Sequence, residues 1–322
     1  MWFNAVLVLK TTAALVLAAA LACAAAPSAR QTPLIKPRVS VLGVPVGSLS
    51  SEPARARIAA SFRRPIEIHY RGERLIVKPG RLGAGAGVDA AVTSALAATP
   101  GSNIALPISY SSGDIKTYVR WLAHRYDVEP VDSKLLGLTA EATPSISEAK
   151  PGLAVERRTM ERALAQELRT GARAPLQLLT RRVPPKVTPE TFGDVIVIVR
   201  GANSLRLFDG EVPVRSFGIA TGQAKYPTPT GTYEIVDKQR DPWWYPPKTS
   251  DWAQGLEPVP PGPGNPLGTR WMGLSAPGVG IHGTPDDASI GYSASHGCIR
   301  MHVPDAEWLF DHVSWGTPVV II

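Results

Sequence analysis

The residues Ile281–His302, IHGTPDDASIGYSASHGCIRMH, hold three of the six histidines and one of the two cysteines of this 322-residue chain. A thiol attacks carbon as its thiolate, and a neighbouring imidazole takes the proton and steadies the anion. His282 lies sixteen residues before Cys298, a separation that suits two adjacent strands joined by a loop through Pro285-Asp286-Asp287 and Gly291. His296 stands two residues before Cys298, and in an extended stretch alternate side chains share a face. Gly297 permits tight backbone geometry, and the amides of Gly297 and Cys298 are candidate donors to an oxyanion. Base, nucleophile and aimed donors are the parts that acyl transfer through a thioester needs. Two other readings use the same residues. His282, His296, Cys298 and His302 form a four-ligand set, but the spacing H-x13-H-x-C-x3-H matches no zinc pattern and a second cysteine is absent. The plainest alternative is a thiol buried among core histidines.

The rest of the chain must position these groups. Its length allows two domains with separate cores, and 31 prolines with 29 glycines predict many turns and short strands. The net charge of +7 and pI near 9.5 point to an anionic partner. Nucleic acid is one candidate, although zinc-finger spacing, Lys/Arg runs and aromatic–basic RNA signatures are missing; an anionic envelope polymer fits equally well, and charge alone does not decide between them. Residues 1–29 read as a signal peptide or an uncleaved N-terminal anchor. Lys10 precedes the apolar run Ala13–Ala22, and small residues at 24–29 offer cleavage choices. Cys23 sits near a lipid-attachment box that Leu21 spoils by one position. Each of these readings places the protein body outside the cytoplasmic membrane. Removing the leader leaves Cys298 as the one cysteine, in a compartment where thiols become disulfides. Such a cysteine is buried, paired with another chain, or used.

After a spacer at 30–38, residues 39–182 read as an α+β domain. Helices are predicted over 51–62, 88–98, 113–126 and 155–168, a hairpin over 65–77 about Arg71-Gly72, and strands over 104–110 and 176–180. His69 and His124 are isolated there and carry no chemistry. The proline-rich 183–191 segment reads as a linker. Residues 192–322 read as a mainly β domain. Strands are expected at Val195–Val199, Leu205–Phe208, Val212–Ala220, Tyr233–Asp237 and Pro318–Ile322, with one late helix over Pro304–His312. The long irregular stretch Trp243–Gly268 is of the kind that serves as a functional flap.

Ile281-His282-Gly283-Thr284 followed by Ser295-His296-Gly297-Cys298-Ile299-Arg300-Met301 closely resembles the active-site signature of the L,D-transpeptidase (YkuD-like) catalytic domain. Thr228-Pro229-Thr230-Gly231-Thr232-Tyr233 and Asn265-Pro266-Leu267-Gly268 look like further landmarks of that family. The resemblance implies an L,D-transpeptidase-like β-sandwich over 192–322. It implies Cys298 as nucleophile, His282 as base, the Gly283 carbonyl as the group orienting it, and His296 in support. Ser295, Gly297, Arg300, Tyr292 and Trp271 are the expected oxyanion and substrate-binding residues. It further implies peptidoglycan stem peptides and glycan as partners, acylation by carbapenems, and a monomer that needs neither cofactor nor metal. Membrane contact is confined to the N-terminal segment if uncleaved. Arg300 stands where the family often has asparagine. The glycine and apolar spacing of Val41–Gly47 and Pro79–Gly83 resembles a peptidoglycan-binding module. A non-catalytic wall-binding scaffold is the rival from another class.

Overall fold

The computed structural model describes residues 32–248 and 250–322, so the leader and the Cys23 lipid-box reading lie outside the described residues. Among the described residues, no helix is long and apolar enough to cross a membrane. The chain forms two compact units. One holds the described residues up to Glu67 with Leu75–Ser112 and Ala165–Pro175, and the other holds Ile68–Arg74, Gly113–Leu164 and Leu176–Ile322.

The first unit packs helices Ser51–Phe62 and Val88–Ala97 with a small sheet of Ser40–Val41, Val44–Pro45 and Asn103–Ile104. Its core gathers Ile35, Val41, Val46, Ile58, Val92 and Leu106. The strand expected over 104–110 appears as two pairs of residues, Asn103–Ile104 and Ile108–Ser109. Pro107 lies between them and has no N–H to give a ladder.

The second unit is organised by one eight-stranded ladder. Its spatial order is Val212–Gly218, Ser204–Asp209, Asp194–Val199, Pro318–Ile321, Gly231–Arg240, Arg270–Leu274, Gly280–Thr284 and Ile299–His302. Asp194–Val199 is a continuous β-branched run because both of its faces are covered. Ile196 and Ile198 enter the main core, while Val195 and Val197 meet Phe208, Ala142, Leu135 and Leu138 on the other side. The long strand Gly231–Arg240 serves two neighbours. Its first four residues pair with Pro318–Ile321 and its later ones with Arg270–Leu274, with the register shifting between Ile235 and Asp237. Such a bulge bends a strand. The two halves then share one apolar core, in which Ile196 and Leu205 join Met272, Ile281 and Ile299 beneath the late helix residues Leu309 and Phe310. Residues 192–322 of this unit are mostly β with one late helix, Val303–His312, as expected.

The segment read as a linker is tied down. Thr180–Val183 pairs with Gly152–Val155, and the amides of Lys186 and Val187 donate to Asp132 Oδ1 at 2.6 and 3.2 Å. Proline there ends strands without freeing the chain.

Candidate active site

The site grows from the alternation of three strands. Gly280–Thr284 and Ile299–His302 run parallel, with Ile281 opposite Ile299 and His282 opposite Arg300. Paired residues of adjacent strands share a face, and successive residues switch faces. Ile281, Ile299 and Met301 point into the core, so His282 and Arg300 point away from it. One step back along the same register sets Cys298 beside Gly280. On the other flank Trp271 pairs with His282 and Gly273 with Gly280. Cys298, His282, Arg300 and Trp271 therefore stand on one side of one sheet.

Two glycines on that side make room for the indole. A Cβ at Gly280 would collide with the six-membered ring of Trp271, and one at Gly273 would come within 2.9 Å of its Nε1. The ring lies across the sheet, 5.9 Å from His282 between centroids, with Nε1 donating to Asp237 Oδ2 at 3.1 Å.

His282 is 5% exposed, and its Nδ1 is 2.6 Å from the Gly283 carbonyl oxygen. A carbonyl only accepts, so Nδ1 carries the proton and Nε2 keeps its lone pair. Burial pushes the imidazole pKa down to about 4, with the Arg300 charge adding to the effect against the Gly283 bond. The base is neutral at neutral pH. The Cys298 thiol is raised by burial, while the Gly280 backbone and Arg300 act to favour its thiolate. Sγ donates to the Gly278 carbonyl at 3.6 Å. At rest the two groups are a thiol and a neutral imidazole.

Cys298 itself sits on a loop between Ser293–Ser295 and Ile299–His302, held by two hydroxyls. Ser295 Oγ donates to the Cys298 carbonyl at 2.6 Å and accepts from the Gly297 amide at 3.1 Å. Thr228 Oγ1 donates to the Gly297 carbonyl at 2.9 Å and accepts from the Gly222 amide at 2.8 Å. Gly297 has φ of +115°, a conformation that needs glycine. Its amide is engaged by Ser295, so of the two amides nominated for an oxyanion it is not available. The sequence assigns Thr228 no role beyond its place in the Thr228–Tyr233 landmark stretch.

The other histidines are directed elsewhere. His296 does not follow the extended-strand expectation. Its ring stacks on Trp252 at 4.1 Å and 17° and lies 5.0 Å from Tyr226. His302 Nδ1 is 2.7 Å from Asp287 Oδ1. The four-ligand set drawn from the sequence is thus not assembled, and among the described residues no three metal-ligating groups converge. Tyr292 stands exposed, tied by its backbone carbonyl, which accepts from Thr221.

The irregular stretch after Arg240 is fastened at both the loop and the sheet. Asn265 Nδ2 donates to the carbonyls of Pro242 and Pro260 at 2.9 and 3.0 Å, and its Oδ1 accepts from Leu267 at 2.8 Å. Gly268, at φ of +62°, lies so close to Gly283 that a Cβ would come within 3.0 Å of its backbone. Trp252 is the aromatic residue of this loop that reaches His296, and Asp251 beside it bonds Tyr226 at 2.6 Å and Lys225 at 2.9 Å. Of the aromatic residues Trp243, Trp244 and Tyr245 expected to form a flap, Trp244 lies beside Trp252, with ring centroids 6.5 Å apart. Trp243 and Tyr245 are 50% and 66% exposed and stack on each other at 6.2 Å.

Residues 193–321 match the family model of the YkuD L,D-transpeptidase catalytic domain. A Bacillus licheniformis protein that carries the name L,D-transpeptidase YkuD is 34% identical over 139 residues, covering 43% of this chain and 72% of its own. An Escherichia coli protein that carries the name L,D-transpeptidase ErfK/SrfK is 42% identical over 120 residues, which are 34% of this chain and 37% of that one. The solved catalytic domain of an Enterococcus faecium L,D-transpeptidase aligns with 40% of this chain and 96% of its own, at 24% identity and a TM-score of 0.34. The family match spans His282 and Cys298. The chain belongs to the YkuD family of L,D-transpeptidase catalytic domains.

Proposed function

We propose that this protein is a peptidoglycan L,D-transpeptidase of the cell envelope, with Cys298 as nucleophile and His282 as base. The observation that carries the reading is the His282 Nδ1 bond to the Gly283 carbonyl, which turns a lone pair outward on the sheet face that Cys298 shares. Cys298 Sγ attacks the carbonyl carbon of the third, L-configured residue of a donor stem peptide. The C–S bond forms, the C–N bond to the terminal D-residue breaks, and the thiol proton passes through His282 Nε2 to the leaving amine. A side-chain amine of an acceptor stem then attacks the thioester. A C–N bond forms, the C–S bond breaks, and the amine's proton returns through His282 to the sulfur. The product is a cross-link between third residues, and water in place of the amine gives L,D-carboxypeptidase activity.

The Cys298 amide is the proposed oxyanion donor, with Gly297 shaping the turn that aims it. Neutral thiol, neutral imidazole and backbone donors supply each step without a cofactor or metal. The strained amide of a carbapenem offers the same thiol a carbonyl and should acylate it. Residues 39–182 serve in this reading as a wall-facing or spacing module, and the N-terminal segment as signal peptide or anchor. The protein acts as a monomer.

Purified protein incubated with a tetrapeptide-bearing muropeptide should release the terminal D-alanine and form a cross-linked dimer, followed by mass spectrometry. A folded protein with a titratable Cys298 thiol that yields neither product is instead a wall-binding scaffold.

A further inference from the structure

The cation on the site face is Arg300. Its side chain is 23% exposed, and the acidic group it faces, Asp286 Oδ2, stands at 3.6 Å on a residue itself 60% exposed. That separation exceeds a hydrogen bond, so the guanidinium fork is placed without being saturated. The backbone of Arg300 is fixed on both sides, paired with His282 in the sheet and exchanging two 2.9 Å bonds with Ala220. Its charge is felt by His282, His296 and Cys298 alike, which sets it near all three. The neighbouring acids are occupied elsewhere: Asp287 by His302, and Asp251 by Tyr226 and Lys225.

We infer that Arg300 reads the terminal carboxylate of the donor stem peptide, the carboxylate of the residue that leaves. The inference rests on the proposed L,D-transpeptidase reading. When the scissile carbonyl carbon lies at Sγ, the leaving residue's carboxylate is about one residue length, roughly 3.6 Å, further along the peptide. Along the strand, Cys298 and Arg300 are two residues apart, about 6.6 Å, with side chains on the same side. A guanidinium beside the thiol thus reaches a carboxylate just beyond the bond that breaks, and its planar fork matches that group with two parallel hydrogen bonds. A peptide that lacks a free terminus leaves the fork unpaired. The enzyme thereby selects stems ending one residue past the attacked carbonyl.

The test uses the full-length protein and three synthetic tetrapeptide stems. One is the free acid, one its terminal carboxamide, and one is amidated on the third residue's side-chain carboxylate. The wild type is expected to prefer free acid over terminal carboxamide by about 10- to 100-fold in kcat/KM, mostly through KM. Arg300→Gln should erase that preference by slowing the free acid alone, and Arg300→Lys should keep part of it. Unfolding midpoints and labelling of the Cys298 thiol report whether each variant is folded. Equal slowing of the acid and the carboxamide by Arg300→Gln would make Arg300 a structural residue and overturn the inference. A preference that follows third-residue amidation instead would also overturn it. A wild type that releases the terminal residue, as D-alanine or D-alaninamide, from none of the three sinks the L,D-transpeptidase reading itself, whereas equal turnover of acid and terminal carboxamide sinks the inference alone.

Discussion

The proposed base and nucleophile, His282 and Cys298, are held by different means. His282 sits inside a strand with neighbours on both sides, and the partner of its Nδ1 is a backbone carbonyl. Cys298 sits on a loop whose shape depends on the hydroxyls of Ser295 and Thr228. A backbone carbonyl cannot be substituted away, so mutation disturbs the base's orientation only by reshaping the sheet. The nucleophile's placement can be undone one side chain at a time. This division follows from chemistry: the base must keep one tautomer, which a fixed acceptor secures. The nucleophile must expose its sulfur, which a tight turn achieves better than a flat strand.

The comparison predicts where the molecule breaks. The largest effect is expected on the base side, where only the imidazole itself is replaceable. His282→Gln should lower L,D-transpeptidase turnover by about 10²- to 10⁴-fold, the range for losing general acid–base catalysis. Single-turnover acylation, read by intact-protein mass spectrometry, should fall as much as steady-state turnover. An acylation rate within threefold of wild type would assign the base elsewhere.

The second effect separates burial from catalysis. His282 stays neutral in the folded protein down to about pH 4, whereas in the unfolded chain it gains its proton near its ordinary value of 6.5. The unfolded state therefore binds more protons between these values. Stability is full above pH 6.5 and is lost as pH falls toward 4, by about 3 kcal/mol for this group. Urea unfolding at pH 7, 5.5 and 4 should show that loss in the wild type and a shallower one in His282→Gln. Parallel slopes in the two proteins would mean that His282 is not the acid-sensitive group.

The smallest effect tests the nucleophile side. Thr228→Val keeps the shape of a buried side chain but removes the hydroxyl that joins Gly222 to Gly297. A cost of about 1–3 kcal/mol in stability is expected from the two unpaired backbone groups. Labelling of Cys298 by a thiol reagent should change along with it, because the turn that carries the sulfur loses a support. Wild-type stability together with wild-type labelling would show that Ser295 alone holds the loop.

Much of this site was legible before folding. His282 and Cys298 stood out because a loop-length spacing separates them and because glycines follow His282 and precede Cys298. The Gly283 carbonyl, expected by resemblance, is where that expectation put it. Asp194–Val199 and the late helix were readable from apolar runs and an early proline. Arg270–Leu274 was not, because its five residues carry a cation, a tryptophan and a glycine, with no period to separate them from the irregular stretch before it. The Gly297 amide was expected to be a free donor, which only the position of Ser295 Oγ could correct. Trp252 was passed over for Trp243, Trp244 and Tyr245, since composition ranks aromatic residues without saying which one meets His296.

The sequence by itself determined the candidate reactive groups, their order and the alternation of side chains along each strand. Those properties depend on residue type and on a period of two, both local. Only the tertiary structure decided which amide is engaged, which histidine is buried, and where Trp271 lies. Gly280 shows why: its lack of a side chain matters only because Trp271 crosses it from a neighbouring strand. Contacts of that kind arise between segments distant in the chain, and no local pattern records them.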